Sequence, residues 1–215
     1  MFDKLFFARA SMVAVGCAAA AVTIIGPAQA DGGSTTVSPA GAAVSATNQG
    51  PVTATVGIVT ATCNTVTATG AVPAAPNNQN SNGPVSVPIG SPAVSDCSGS
   101  IPGTTATATT AGTWAVSVQN GSTIAGNLTI PQGGLTITTS GLANCVAVVA
   151  PNGPVSVTGT FANGSPSTVT ASNVSVPVSI TGDGLCPTNT TTATVSAVFA
   201  LTNTSDPTQP ITVGP

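Results

Sequence analysis

Apolar and hydroxyl-bearing residues alternate along most of the chain. Pro51 to Thr62 reads PVTATVGIVTAT, Thr113 to Gln119 TWAVSVQ, Leu135 to Thr139 LTITT, Pro154 to Phe161 PVSVTGTF, Val174 to Ile180 VSVPVSI and Thr192 to Leu201 TATVSAVFAL. A period of two puts Val, Ile and Leu on one face and Thr and Ser on the other, the pattern of half-buried strands, and β-branched side chains suit a pleated surface. Beyond residue 30 no window carries the apolar stripe of an amphipathic helix. Between the runs stand Asn82-Gly83-Pro84, Asn120-Gly121, Gly133-Gly134, Asn152-Gly153-Pro154, Asn163-Gly164 and Gly182-Asp183-Gly184, residues that accept a positive φ or pre-set a turn. Short strands punctuated in this way predict an all-β fold over residues 49–215, an immunoglobulin-like or Greek-key β-sandwich or barrel. The Thr/Ala run from Thr104 to Thr110 varies too little in size to identify a buried face and fits a strand or a linker. Residues 31–48, DGGSTTVSPAGAAVSATN, read as a flexible N-terminal lead.

The first thirty residues follow a different pattern. Lys4 and Arg9 precede an uncharged apolar stretch from about Met12 to Ile25, and Pro27-Ala28-Gln29-Ala30 then places Ala28 and Ala30 where a signal peptidase needs small side chains. A secretory leader over residues 1–30, cleaved before Asp31, is the expectation. The apolar run is shorter than the roughly 20 residues of a spanning helix, which separates it from a retained anchor. Ala14-Val15-Gly16-Cys17 loosely matches the stretch before a lipidated cysteine, but Ala18 to Ile25 stay apolar where a lipoprotein is already polar.

Composition narrows the function sharply. Lys4 and Arg9 are the only cationic side chains in the chain, and His, Glu and Tyr do not occur in it. Residues 31–215 therefore carry Asp31, Asp96, Asp183, Asp206 and four cysteines as their ionisable side chains. Nucleic acids and anionic lipid headgroups are bound through cations, so both are excluded as partners. What remains is a protein or cell-wall component, or another copy of the chain, held by backbone groups, hydroxyls and apolar contact. Trp114, Phe161 and Phe199 are the only aromatic residues after the leader, too few for the girdles of a membrane β-barrel. A core of Val, Ile, Leu and Ala is expected to be tightly packed, with Trp114 as its large anchor.

Cys63, Cys97, Cys145 and Cys186 are even in number, lack CxxC spacing and have no histidine to complete a mixed zinc site, so two disulfides in an oxidising space are expected. Four cysteines allow three connectivities. The hexapeptide Asn-Gly-Pro-Val-Ser-Val occurs at Asn82 to Val87 and at Asn152 to Val157, each copy between one cysteine upstream and one downstream. This favours Cys63 to Cys97 and Cys145 to Cys186, and suggests related halves over residues 49–103 and 112–215. The other two pairings stay open.

Catalysis finds no footing. A serine nucleophile needs a general base, and the chain beyond its leader offers neither His, Lys nor Tyr. Four aspartates in separate turn-like contexts do not form the designed pair of a glycosidase. Gly182-Asp183-Gly184 and Asp31-Gly32-Gly33 fall short of an acidic calcium loop. No enzyme activity, cofactor or metal is expected. Asn-x-Ser/Thr sequons at Asn120, Asn127, Asn163, Asn173, Asn189 and Asn203 arise readily in a chain so rich in Ser and Thr. Thr-x-Thr patterns suit ice-binding arrays, but the fixed short repeat of such arrays is missing.

Trp114-Ala115-Val116-Ser117-Val118, Asn144-Cys145 and the stretch from Phe199 to Thr204 followed by Pro210 to Val213 resemble small secreted Ala/Thr/Val-rich proteins of high-GC actinobacteria. That resemblance implies a cell-envelope or extracellular place and no particular activity. Thr55 to Cys63, TVGIVTATC, is similar to secreted pilus subunits of the coat-protein-U type, although their downstream Phe-Gly signature is missing. The sequence thus predicts a secreted, non-catalytic structural or interaction protein. The alternatives are an assembling fibre subunit, whose strand near Ser34 to Val44 completes a neighbour's sheet edge, and a small-molecule carrier or inhibitor.

Overall fold

The alternating runs fold into strands almost wherever they occur. A computed structural model describes residues 33–215, and the expected leader with its cleavage residues Ala28, Ala30 and Asp31 lies outside them. In chain order the first strands are β1 (Thr35–Ser38), β2 (Ala43–Asn48), β3 (Val52–Val56), β4 (Val59–Ala71), β5 (Gln79–Asn80), β6 (Val85–Ile89), β7 (Ala93–Gly99) and β8 (Thr104–Thr110). Then follow β9 (Trp114–Gln119), β10 (Ile124–Ile130), β11 (Leu135–Gly141), β12 (Cys145–Val149), β13 (Val155–Val157), β14 (Thr160–Ala162), β15 (Ser167–Gly182), β16 (Thr192–Asn203) and β17 (Thr212–Gly214). The described residues contain no helix.

Fourteen strands form one antiparallel sheet that closes on itself. β2 and β3 pair with β4, which pairs with β6 and β7; β6 leads to β9, β9 to β10, and β8 to β11. β10 pairs with β13 and β14, and β11 with β12. β12 and β14 meet β15, and β15 pairs with β16, which returns to β2 and β3. β7 and β8 lie side by side as the arms of a hairpin. The wall is therefore a barrel of eight staves: β2 with β3, β4, β6 with β7, β8 with β9, β10 with β11, β12 with β13 and β14, β15, and β16. The expected all-β fold is present, in its barrel form. Consecutive staves are neighbours throughout, even where residues 72–84 carry β5 into the plug between β4 and β6, so the wall is a meander without a Greek-key crossover.

Five of the staves break at one level, forming a seam round much of the barrel. The breaks fall between β2 and β3, β6 and β7, β8 and β9, β10 and β11, and β12 and β13. Four of them are tied to one another: Ser91 Oγ donates to the Gly112 carbonyl at 2.7 Å, Ala111 N to Gly134 O at 2.9 Å, and Gly133 N to Ala150 O at 2.9 Å. Gly112, at φ +76, where side chains are strained, sits against the ring of Pro131; a Cβ there would come within 2.8 Å of it. β15 crosses the seam unbroken by taking up a bulge between Ala171 and Val174, where the extra residue bends the strand. Trp114 lies at the seam, buried, and its indole N–H donates to Ala111 O at 3.0 Å.

One end of the barrel is plugged. β1 pairs with both β17 and β5 in a three-stranded sheet, whose Val37 and Val213, with Ile211 just before β17, pack with Val72, Val85, Val118 and Phe161. The side-chain amide of Asn163 holds the backbone of Val213 through two bonds, Nδ2 to its carbonyl and its N–H to Oδ1, both 2.8 Å. Residues 35–48, expected as part of a flexible lead, are thus ordered strands. They carry only two large apolar residues, Val37 and Val44, and gain their order by pairing, β1 with the distant β17 and β2 with both the distant β16 and the nearer β4.

The proposed halves 49–103 and 112–215 do not separate. β3 pairs with β16 and β6 with β9, so each half completes the other's sheet. The two hexapeptides nevertheless take equivalent places as β6 and β13, on either side of the β9–β10 hairpin. Val87, Val116, Leu128 and Val157 stand opposite one another in one row across these four strands.

Candidate functional site

The period-two alternation that forms each strand also decides what the barrel encloses. In β8, Ala106 and Ala108 face inward while Thr105, Thr107 and Thr109 face outward. Opposite them, Leu135 and Ile137 face inward and Thr136 and Thr138 outward. Hydroxyls bond across the outer surface, as between Thr105 and Ser140 at 2.8 Å and Thr55 and Thr60 at 3.0 Å. The wall is hydroxylated outside and apolar inside, the reverse of a barrel that faces lipid. No helix among the described residues is long and apolar enough to cross a membrane.

The apolar inner face does not meet itself across the barrel. It surrounds a cavity of about 250 Å³ that reaches from Val56, Val59, Ile101 and Pro187 at the hairpin tips, past Trp114 at the seam, to Leu201 near the plug. A tightly packed core is therefore corrected to a hollow one. The reason is geometric: strand number fixes the width of a closed barrel, and eight strands leave room for side chains to fill or for one small ligand. Here the filling is small. One row round the wall reads Ala108, Ile137, Ala147, Ile180, and alanines 54, 61, 171, 193 and 197 also line the space. A second void beside the plug measures only about 60 Å³.

The hydroxyl protons of the lining are already committed. Thr139 Oγ1 donates to Ala143 O at 2.9 Å and accepts from Cys145 N at 3.0 Å. Thr104 Oγ1 donates to Ile101 O at 2.6 Å, and Thr110 Oγ1 to Pro92 O. None of Asp96, Asp183 and Asp206 lines the cavity.

Four hairpin tips gather at the end opposite the plug. Leu142 N donates to Gly103 O at 3.3 Å, Asn144 N to Asp183 Oδ2 at 2.8 Å, and Gly57 lies beside Thr190. These tips expose large apolar side chains: Ile58 at 98%, Leu142 at 66% and Leu185 at 61% of full exposure. Both disulfides belong to this half. Cys63 in β4 is bridged to Cys97 directly opposite in β7, and Cys145 in β12 to Cys186 in the tip that joins β15 to β16. The pairing favoured by the repeated hexapeptide is the one present, and such bridges fit an oxidising, non-cytoplasmic setting.

Asp183 sits in that last tip, its carboxylate oxygens within 4.8 Å of the sulfurs of Cys145 and Cys186. Those sulfurs are spent in the bridge, and the carboxylate serves the turn instead. It accepts from the Asn144 backbone N–H, from Leu185 N at 3.1 Å and from the Asn144 side chain at 3.2 Å. These bonds, the Asn144 backbone N–H foremost, hold its carboxyl below the ordinary carboxylate range. Asp206 is lowered in the same way by the Thr208 hydroxyl at 2.6 Å and the Thr208 N–H. Asp96 accepts from Thr65 Oγ1 at 3.2 Å in β7. The three described aspartates stay apart, each in its own turn or strand.

Sequence reasoning singled out the cysteines and Trp114 and did not find the cavity. The signal was present as the scarcity of large side chains on inward-facing positions, but only closure of the sheet converts that scarcity into an enclosed space. Comparison of the chain with protein-family models, with curated proteins and with solved structures gives no match.

Proposed function

We propose that the chain is a secreted, non-catalytic protein of the cell exterior whose molecular role is to hold an apolar small molecule inside its barrel. The observation that carries this reading is the cavity of about 250 Å³ with its almost wholly apolar lining. Apolar surface of this kind gains by leaving water, so an apolar molecule that covers it is favoured. The leader pattern of residues 1–30 and the two disulfides support export.

The alternatives draw less support. A structural module with no ligand leaves the hollow lumen without a purpose. For a fibre subunit, the segment best placed to complete a neighbour's sheet, Thr35–Ser38 and Ala43–Asn48, is already paired within its own chain.

Titration of the disulfide-intact protein with an apolar fluorophore such as N-phenyl-1-naphthylamine tests the reading. Saturable binding with a blue-shifted emission and a matching change in Trp114 fluorescence is expected, because Trp114 lines the cavity. Absence of saturable binding, with Trp114 emission unchanged, sinks it. N-terminal sequencing of exported protein checks the start at Asp31.

A further inference from the structure

We infer that the ligand of the lumen is an uncharged hydrocarbon whose enclosed part carries no hydrogen-bonding group. This deepens the proposed function and rests on the lumen being a ligand site. Three observations lead to it. First, residues 33–215 contain no Lys, Arg or His, so an anionic headgroup drawn into the cavity finds no cation. Burying such a charge unpaired is among the costliest events in a protein interior. Second, the described carboxylates of Asp96, Asp183 and Asp206 lie off the lining, so a cationic ligand is left unpaired in the same way.

Third, the protons of the lining hydroxyls are spent within the wall. The protons of Thr104, Thr110 and Thr139 are given to the carbonyls of Ile101, Pro92 and Ala143, and Thr139 Oγ1 accepts from a backbone N–H as well. Wall carbonyls and N–H groups are spent in the ladders that close the sheet. A ligand carbonyl or acid placed inside would therefore exchange water for nothing, and a ligand hydroxyl meets at most a threonine oxygen at the rim of an otherwise apolar wall, which selects against both. Binding sites usually fix their ligands by a few convergent polar groups, whereas this one discriminates by their absence. The volume lies above that of the engineered apolar cavity of about 150 Å³ that holds benzene and just below the roughly 300 Å³ at which drug-sized pockets begin. A small cyclic or short-chain hydrocarbon fits it.

A matched series on one carbon skeleton tests the inference: cyclohexylbenzene, 4-cyclohexylphenol and 4-cyclohexylbenzoate, each titrated into the disulfide-intact protein at neutral pH and followed by Trp114 emission and calorimetry. The expected order is hydrocarbon tightest, phenol at least several-fold weaker, and carboxylate weaker than the hydrocarbon by tenfold or more. Equal or tighter binding of the carboxylate or the phenol overturns the inference while leaving the lumen as a ligand site. Failure of all three to bind, together with failure of N-phenyl-1-naphthylamine, overturns the ligand-site reading itself. An Ala108→Ile/Ala147→Ile variant separates lumen binding from adhesion to the exposed apolar tips: it is expected to lose the hydrocarbon, and retention of full affinity overturns binding in the lumen.

Discussion

The two ends of the barrel are built from the same residue types and are held together differently. At the plugged end Phe161, Val72, Val85 and Val118 close on Val37, Ile211 and Val213 and leave a void of about 60 Å³. No cysteine lies there. Toward the tips the inner face is dominated by alanine and valine, the cavity is about four times larger, and both disulfides cross the wall. Close packing stabilises the first region, while covalent staples maintain the second around a space that packing does not fill. A strand-built wall can thus be kept hollow over part of its length if its shape is secured by something other than contact across the interior.

Four substitution experiments probe that contrast, in decreasing order of effect. Phe161→Ala removes the largest side chain of the plug cluster, 4% exposed, and is expected to cost about 4 kcal/mol in denaturant unfolding. A cost under about 1 kcal/mol would mean that the plug does not rest on packing. Replacing either cysteine pair by serine relaxes a loop of 34 or 41 residues and is expected to cost about 3 to 4 kcal/mol. Its mark should be local: amide exchange speeds up in β7, β8, β11 and β12 while the plug strands stay protected, and uniform loss of protection would refute the division.

Asn163→Ala deletes the two bonds to the Val213 backbone and is expected to cost about 1 to 2 kcal/mol, read as a lower urea midpoint with faster exchange at Val213. The double variant Ala108→Ile/Ala147→Ile fills the row it shares with Ile137 and Ile180. A gain in stability of up to about 1 kcal/mol is expected, with loss of apolar probe binding. A marked destabilisation would show that the interior has no free room.

The smallest effect is that of pH. Asp183 and Asp206 have carboxyls held low by hydrogen bonds in the folded chain, so between the folded and unfolded values the unfolded chain binds more protons. Their contribution is therefore complete above the ordinary carboxylate range and is lost as pH falls through the depressed folded values. Both groups are solvated, so stability should be flat from pH about 7 down to about 4 and decline gently below. Asp183→Asn should remove part of that decline, and an acid transition already under way near pH 6 would point to a different titrating group.

Much of the wall was legible in the chain. Alternating Val and Thr marked the strands, Gly and Asn marked the turns between them, and the repeated Asn-Gly-Pro-Val-Ser-Val bracketed by cysteines pointed to the bridges that form. Thr104 to Thr110 resisted assignment because Ala106 and Ala108 barely differ in size from their outward threonine neighbours. Its identity as β8 is settled by pairing along its whole length with β11. Strands β1 and β2 were hidden because one partner of each, β17 for β1 and β16 for β2, lies more than a hundred residues away. The cavity was hidden for a related reason: a period of two says which side chains share a face, but the width of the space they face depends on how many strands close the ring.

The plug joins segments from opposite reaches of the chain. Val37 stands opposite Val213, so this clasp cannot close until residues Ile211 to Gly214 have emerged, after every stave of the wall has been synthesised. Such a contact carries nearly the greatest loop-closure entropy that the chain offers, and topologies dominated by distant pairings fold slowly. In time as well as in space, then, the wall comes before its floor: until that last stretch is synthesised, the lumen lacks the clasp that closes it at its most densely packed end.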